Sequence, residues 1–416
     1  MSGLFKVTIF TGLLTILKIA IGFIIAKVVA VYTGPAGLAI LGQTQGMLSS
    51  FSGLINAPVG NGIVRYTAEN KEKGFESCAQ WWTASLQWIL IISSIIIPLG
   101  LFFSSDITDW LYKNTEYEWV VILSIILLPF FSIGTLLNSV LNGLQNYKLY
   151  VTLGMFSVVI SGAAMVGLVL LYGLNGVLIA AVFQAFIISL VMIFGTVRQP
   201  WLKINYWLKN TNATARRDIA KYVLMALTTA LTAPVSLIIV RNIIIENAGW
   251  DSAGHWQAVW KISEVYIGVI TIALSTYFLP KLATLNSAEQ IVNEISRNVR
   301  IVFPLMIFLS FIVYFFRHSI ISLLFTNEFN GAENLFLYQL IGDIFKILSW
   351  MYAFPMIARG TLKWFVPTEV FFTISFIIIA DLLVSYIGVC GANVAYLLNY
   401  IFYFLFVFFN VRRFST

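Results

Sequence analysis

Nine ionisable side chains fall inside stretches that are otherwise apolar: Lys18, Lys27, Arg241, Lys261, Glu264, Asp343, Lys346, Glu369 and Asp381. Holding a charge there costs on the order of 3 kcal/mol unless it is paired or wet. The chemistry open to such groups is electrostatic: cations bind an anion, and carboxylates bind a proton or neutralise a cation. Lys261–Glu264 and Asp343–Lys346 are i,i+3 pairs, so each places opposite charges on one helix face. Such a pair either neutralises itself so that its helix inserts, or serves a charged ligand. Lys18 has no acidic residue within a turn and lies about 20 Å into its stretch, too deep to snorkel comfortably. Lys27 follows nine residues later, about 180° around a straight helix. Only one of the two faces a given cavity, and Lys27 is also placed to reach the outer headgroups. Arg65 and Lys281 each end an apolar stretch and suit a cationic cytoplasmic mouth. Glu369 has no basic residue three or four positions away, so it either carries a proton or pairs across helices with Lys346 or Lys363; Glu264 and Asp343 share that choice.

Other chemistries lack their motifs. The chain has no P-loop, no His/Cys/Asp cluster at metal spacing and no G-x-S-x-G nucleophile turn, so the expectation is a protein that is not an enzyme and uses no cofactor or metal. Cys78 and Cys390 read as small apolar filler, and His255 and His318 as interfacial polar residues. Gln43, Gln45, Asn56 and Asn61, then Asn138, Asn142 and Gln145, read either as interhelical hydrogen bonding or as sugar contacts, and mark the interior sides of their helices in both cases.

The elements that carry these groups belong in a bilayer. With 59% hydrophobic and 10% charged residues and a mean hydropathy of +0.89, a chain of 416 residues cannot cover a soluble globule. At roughly 20 apolar residues per crossing, the sequence predicts twelve spans, about 5–31, 37–64, 77–104, 117–141, 148–171, 174–197, 218–245, 253–279, 298–323, 332–357, 362–386 and 390–411. Landmarks recur at nearly constant separation: Gly37 in PAGLA with Gly254 in SAGHW, Arg65 with Lys281, Gly143 with Gly360, and Gly176 with Gly391. The offsets of 217, 216, 217 and 215 describe two copies of a six-span unit. An even number of spans makes the copies parallel. The expected architecture is all-α and polytopic: two parallel-repeat six-helix bundles, 1–197 and 218–416, around a central cavity, with 198–217 as a cytoplasmic linker. Trp201 and Trp207 among basic residues suit a linker resting at the headgroup layer.

Charge then orients the chain. If the N-terminus is cytoplasmic, 18 Lys and Arg fall in cytoplasmic segments, among them Lys71, Lys73, Lys203, Lys209, Arg216 and Arg217, while Asp106, Asp109, Glu116, Glu246, Asp251 and Glu333 fall outside. By the positive-inside rule both termini are cytoplasmic. The net charge of +7 is thus a topology signal scattered over short loops, with no nucleic-acid surface.

Three segments carry a family resemblance: TILKIAIGFIIAKVVAVYTGPAGLAILGQ (15–43), WQAVWKISEVYIGVITIALSTYFLPKLA (256–283) and QLIGDIFKILSWMYAFPMIARG (339–360). They resemble the Wzx-type flippases of the MATE-like polysaccharide exporter superfamily, close to the O-antigen and enterobacterial common antigen translocases. The resemblance runs end to end, and its matching positions are Lys18, Lys27, Gly34, Pro35, Gly37, Trp256, Gln257, Asp343 and Lys346, with a looser match at Glu264. It implies a multi-pass protein of the bacterial inner membrane that moves an undecaprenyl-pyrophosphate-linked oligosaccharide to the periplasmic leaflet. Membrane lipids would be its surroundings, and a polymerase and a chain-length regulator of the same pathway its partners. On this reading Lys18, Lys27, Arg65, Arg241, Lys261, Lys281 and Lys346 line the path of the pyrophosphate and glycan, while Glu264, Asp343 and Glu369 couple a proton or pair with the cations.

Two rival readings make different demands. A multidrug exporter of organic cations wants an acidic interior, whereas basic residues within these spans at least match the acidic ones. A polytopic polysaccharide polymerase or ligase wants a long outer loop, and the expected spans leave none above about 15 residues.

Overall fold

In the computed structural model, residues 3–208, 211, 213–278, 281–282, 284–285, 287–359 and 361–415 are described. Gly360, one of the repeat landmarks, and Lys209, one of the cytoplasmic cations, lie outside them. The chain order is α1 (Gly3–Ile55), α2 (Asn61–Asn70), α3 (Phe75–Phe102), α4 (Ser104–Tyr112), α5 (Glu118–Gly143), α6 (Tyr147–Thr196), α7 (Ala213–Ala273), α8 (Ala288–Phe315), α9 (Arg317–Leu324), α10 (Phe336–Ala358), α11 (Leu362–Ile387) and α12 (Cys390–Ser415). Among the described residues, nine helices are long and apolar enough to cross a membrane. Three of those nine, Phe10–Ile55, Tyr147–Thr196 and Ala226–Ala273, run for 46, 50 and 48 residues and break at Gly34, Gly173 and Gly249. Each is long enough for two crossings, so the chain crosses twelve times.

The breaks are glycine hairpins. Gly34 (φ 63, ψ −167), Gly173 (φ 54, ψ −128), Gly249 (φ 83, ψ 170) and Gly388 (φ 64, ψ −151) hold positive φ with extended ψ, a combination that side-chain-bearing residues avoid. Beyond the turn the two arms lie so close that a Cβ on Gly176 would run into the carbonyl of Leu168, and one on Gly391 into the carbonyl of Leu383. One further repeat of plan is visible. After α3 comes the short α4, and after α8 the short α9, so each copy carries a small extra helix at the matching connection.

Two boundaries depart from the sequence expectation. The span expected at 298–323 is α8, Ala288–Phe315, because Arg297 pairs with Glu294 at 3.2 Å along the helix and does not end it. The connection that follows, 316–335, is correspondingly longer than the roughly 15 residues expected and is built from α9 and a 3-10 segment, Asn327–Leu335. The second crossing also ends early, at Ile55; turns carry the chain through Pro58 before α2, and Ser85 Oγ donates to the Pro58 carbonyl at 2.8 Å.

By contact the chain falls into two compact units, Met1–Tyr32 with Leu41–Val235, and Thr33–Ile40 with Ser236–Thr416. The repeat boundary and the contact boundary therefore differ, and the first unit shows why. Trp201 and Trp207 turn inward instead of lying exposed among the basic residues of the linker. Both are buried against Trp82, with ring centroids 6.1 and 5.3 Å from it, and the Trp207 indole donates to the Trp201 carbonyl at 3.1 Å. Trp82 in turn donates to Thr67 Oγ1 at 2.9 Å. Burying three indoles releases far more water-exposed apolar area than an interfacial placement would. Further along α3, Thr211 Oγ1 donates to Gln87 Oε1 at 3.0 Å and Trp88 Nε1 to the Arg216 carbonyl at 3.2 Å. Gly53 packs directly on Ala230. The inter-repeat segment and the start of α7 are thus fastened to the first unit.

Within the first unit, Gln43 is fully buried and donates to the Leu111 carbonyl at 3.1 Å, while Thr44 and the Tyr112 hydroxyl lie 2.9 Å apart. The hydrogen-bonding alternative for Gln43 is therefore realised, and it ties α4 to α1. The second unit packs around Phe278, Leu282, Ile295, Met306, Ile347 and Met351. Large apolar side chains such as Ile16, Leu90, Phe194, Phe311, Phe371 and Ile378 stay exposed on crossing helices, as lipid-facing positions require.

Candidate functional site

The second unit gathers most of the ionisable residues singled out above. On α10 the positions Gln339, Asp343, Lys346 and Trp350 recur at spacings of four, three and four, a single helical stripe. On α12 the stripe is Asn393, Tyr396, Tyr400 and Tyr403, and on α7 it includes Trp256, Trp260 and Glu264. The three stripes meet.

Asp343 is fully buried and well supplied with donors. Tyr396 donates its hydroxyl to Oδ1 at 2.7 Å, Gln339 Nε2 donates to the same oxygen at 3.2 Å, and the Tyr266 hydroxyl donates to Oδ2. Asn393 Nδ2 donates to Gln339 Oε1 at 2.9 Å and holds that amide in place. A carboxylate that takes three hydrogen bonds is stabilised where a bare one is not.

Lys346, one turn along α10, directs its ammonium to rings. Nζ lies 5.2 Å from the centroid of Trp260, 5.1 Å from Trp350, and 5.5 Å from each of Tyr396 and Tyr400. Each such contact is worth about 0.5–2 kcal/mol according to its exposure to water. The Asp343–Lys346 pair that the sequence suggested is therefore two linked sites, a carboxylate held by hydroxyls and an ammonium held by π-faces. Tyr396 belongs to both.

The neighbouring groups extend the cluster. Trp260 donates Nε1 to Glu264 Oε1 at 3.1 Å, and Lys261 Nζ stands 3.4 Å from Glu264 Oε2, so the Lys261–Glu264 pair forms as spaced, half exposed. Trp260 also packs on Trp256 with centroids 5.3 Å apart. Arg241, buried, lies over the Trp256 ring at 5.5 Å and donates Nη2 to Gln257 Oε1 at 2.6 Å. Glu369 lies beside Tyr403 and Tyr400. It does not pair with Lys346 or Lys363. Lys281 is exposed. Asp381 is likewise exposed.

Three expected site residues belong to the first unit. Lys18 is exposed on α1 and has no hydrogen bond or ion pair among the described residues. It lies on the flank of the stripe through which Leu14 and Ile21 pack on Gly154 and Gly162 of α6. Lys27 is half-buried. Arg65 pairs with Glu69 at 2.8 Å on α2, well exposed, and lies 5.7 Å over Tyr66.

Sequence reasoning overlooked the tyrosines. Tyr266, Tyr396, Tyr400 and Tyr403 supply the hydroxyls and ring faces that hold the charged groups, and the spacing of the last three, four and three apart on one helix, was the available signal. Trp260 and Trp350 passed as apolar bulk for the same reason. Among the described residues no group of three or more His, Cys, Asp or Glu could hold a metal ion.

The chain can be set beside known proteins. The lipid III flippase of Escherichia coli (strain K12) is 27% identical over 408 residues, which is 97% of this chain and 96% of that protein; a lipid III flippase of Shigella flexneri aligns to the same extent. An inward-facing structure of a multidrug resistance MATE family transporter of the MOP superfamily shares the fold with a TM-score of 0.73 at 15% identity, covering 96% of this chain and 99% of that one. An outward-facing structure of such a transporter gives 0.69 at 14% identity, with 99% and 96% covered. The fold is thus the MATE-type arrangement of two six-helix repeats in a multi-pass membrane protein. The family model described as polysaccharide biosynthesis protein matches residues 44–334, more than half of the sequence, and the chain belongs to that family.

Proposed function

We propose that this protein is a flippase that moves an undecaprenyl-pyrophosphate-linked oligosaccharide, a repeat unit of O-antigen or a related surface glycan, from the cytoplasmic to the periplasmic leaflet of the bacterial inner membrane. The observation that carries the reading is Lys346: a cation deep in a crossing helix, held by four rings, with its neighbouring carboxylate engaged elsewhere. An ammonium so held keeps its capacity for an incoming anion. A pyrophosphate with two or three negative charges cannot pass about 30 Å of hydrocarbon bare. Lys18, Lys27, Arg65, Arg241, Lys261, Lys281 and Lys346 are the counter-charges along its path, and the polyprenyl tail remains in the lipid. End-to-end similarity to proteins named lipid III flippases supports the substrate class.

The repeats 1–197 and 218–416, joined by 198–217, are the units of alternating access, a cycle in keeping with the inward- and outward-facing structures of this fold. Both termini lie in the cytoplasm, and the polymerase and chain-length regulator that consume the product are its functional partners. Outward movement of negative charge is favoured by an inside-negative potential at about 2.3 kcal/mol per charge per 100 mV. Export of organic cations would instead need acidic groups to dominate the crossing helices.

The test is transfer in proteoliposomes. Purified protein should move an undecaprenyl-pyrophosphate-linked oligosaccharide between leaflets, read by its accessibility to an added glycosidase, and should not accumulate ethidium. Ethidium transport without glycolipid transfer would overturn the proposal.

A further inference from the structure

Asp343 and Lys346 are joined through Tyr396, whose contacts go beyond those of any other wall of the cage. Its hydroxyl donates to Asp343 at 2.7 Å and its ring receives the Lys346 ammonium at 5.5 Å. The same ring meets Trp260 edge-on at 5.3 Å and Tyr400 at 4.8 Å, so it touches two of the other three walls. Phe376 packs on it at 6.2 Å, and on another side it lies against Gly342, where an added Cβ would sit 2.7 Å from Tyr396 Cε1. Tyr396 is fully buried and so is Asp343. A phenol ring rotates about one long axis, and here the tip is pinned by a hydrogen bond while the face is pinned by a glycine that admits no side chain.

We infer that Tyr396 is the positioning residue of the Lys346 anion site, and that Asp343 acts by fixing the Tyr396 ring and not as the counter-ion of Lys346. The inference rests on the flippase reading for what the anion is, a lipid-linked pyrophosphate. It makes a distinction that a counter-ion role does not. If Asp343 works as an acceptor for Tyr396, then Asp343→Asn, whose amide oxygen still accepts, preserves the cage. If Asp343 works through its charge, that substitution is as harmful as Asp343→Ala. The geometry assigns Gly342 a share in the same task, since Gly342→Ala would push the ring off the ammonium without touching either charge.

The experiment compares the parent protein with Tyr396→Phe, Gly342→Ala, Asp343→Asn and Asp343→Ala, each purified as a monodisperse full chain. Two quantities are read. One is the rate at which Lys346 is modified by a membrane-permeant amine-reactive ester, followed by mass spectrometry of its peptide in the absence of substrate. The other is KM and kcat for transfer of an undecaprenyl-pyrophosphate-linked oligosaccharide in proteoliposomes. Losing one hydrogen bond to a charged group corresponds to about a tenfold change in an equilibrium. Tyr396→Phe, Gly342→Ala and Asp343→Ala should therefore each raise Lys346 modification and KM by about that factor, with kcat nearly unchanged, while Asp343→Asn stays near the parent. Parent-like modification and KM in Tyr396→Phe would overturn the inference, as would an Asp343→Asn protein indistinguishable from Asp343→Ala. Should Asp343→Ala fail to fold, Tyr396→Phe and Asp343→Asn decide the matter. A parent protein that moves no glycolipid while the order of Lys346 modification holds would sink the flippase reading and leave the positioning role intact; transfer by the parent without that order would do the reverse.

Discussion

Gly173 and Gly388 hold the same backbone conformation, φ 54, ψ −128 and φ 64, ψ −151, at positions 215 residues apart (388 against 173). Gly34 and Gly249 form a second pair with the same separation. The duplication is therefore written into the turns themselves: each copy places a residue without a Cβ where the chain must reverse between two crossings.

That conformation makes a stability prediction. Alanine at Gly173 or Gly388 would be held in a region costing on the order of 1–3 kcal/mol. Open space surrounds both positions, so conformation alone is at issue there. Gly173→Ala and Gly388→Ala should each lower the melting temperature in detergent, whereas Gly167→Ala, in regular helix and equally open, should leave it unchanged or raised. Equal melting points for all three would show that the hairpins relax freely.

The tryptophan cluster predicts the behaviour of the segment between the repeats. Trp201→Ala removes a buried indole packed on Trp82, a change worth about 3–5 kcal/mol in a packed core. The expected result is a lower melting point and new proteolytic cleavage between 198 and 208. Ile204→Ser, at an exposed position midway between Trp201 and Trp207, should change neither. Resistance of Trp201→Ala to protease would mean that the segment is held by its hydrogen bonds to α3.

How far the sequence could be read follows from which physical signal each feature leaves. Crossings are legible because about 20 apolar residues in a row have few other uses, and the Lys261–Glu264 pair is legible because i,i+3 spacing fixes a shared face. The hairpin glycines were harder, since Gly34 and Gly173 lie three residues before the landmarks Gly37 and Gly176, and positive φ leaves no compositional mark. Asp343–Lys346 read as an ion pair because its spacing says nothing of Tyr266, distant in sequence by 77 residues. The aromatic walls around Lys346 were hidden by their own dual character: in a chain with 15% aromatic residues, a Trp or Tyr that binds a cation looks like one that fills a core. The early start of α8 was missed because the expected span began at 298 with the apolar run, although the polar turns before it, Glu289 among them, cost little where a helix begins in water.

The cationic path predicts a pattern among substitutions. Lys18→Ala and Lys346→Ala should each lower surface glycan in cells at normal protein abundance, and the Arg variants should be milder because charge is retained. For Lys346→Arg the guanidinium keeps its attraction to the rings. Since Asp343 takes its hydrogen bonds from Tyr266, Tyr396 and Gln339, adding Asp343→Ala to Lys346→Ala should not restore transport. Full restoration by the double change would reduce the two residues to a neutral pair needed only for insertion.

The orientation proposed from charge is open to a labelling test. Asp109 and Lys203 are both exposed, so single cysteines there, in a background without Cys78 and Cys390, offer themselves to a membrane-impermeant thiol reagent. In intact spheroplasts only position 109 should react, and position 203 should require permeabilisation. The opposite pattern would place both termini outside and invert the assignment of leaflets.

Coupling to a proton gradient is the remaining proposal, and the two carboxylates it invokes stand in different surroundings. Glu264 accepts from Trp260 and faces Lys261, half exposed, so its charge is matched at short range. Glu369 lies beside Tyr403 and has no ion pair among the described residues. A carboxylate without a counter-charge in a crossing helix is the better placed of the two to take up a proton and give it back as its exposure alternates. If inward proton movement accompanies outward movement of the anionic headgroup, transfer in proteoliposomes should speed up under an imposed pH gradient, acidic on the periplasmic side, with the membrane potential clamped to zero. Glu369→Gln should abolish that acceleration while keeping the rate seen without a gradient, and Glu264→Gln should alter it less. A parent rate indifferent to the gradient, unchanged in both variants, would eliminate proton coupling and leave the electrical potential or withdrawal of the product as the driving force.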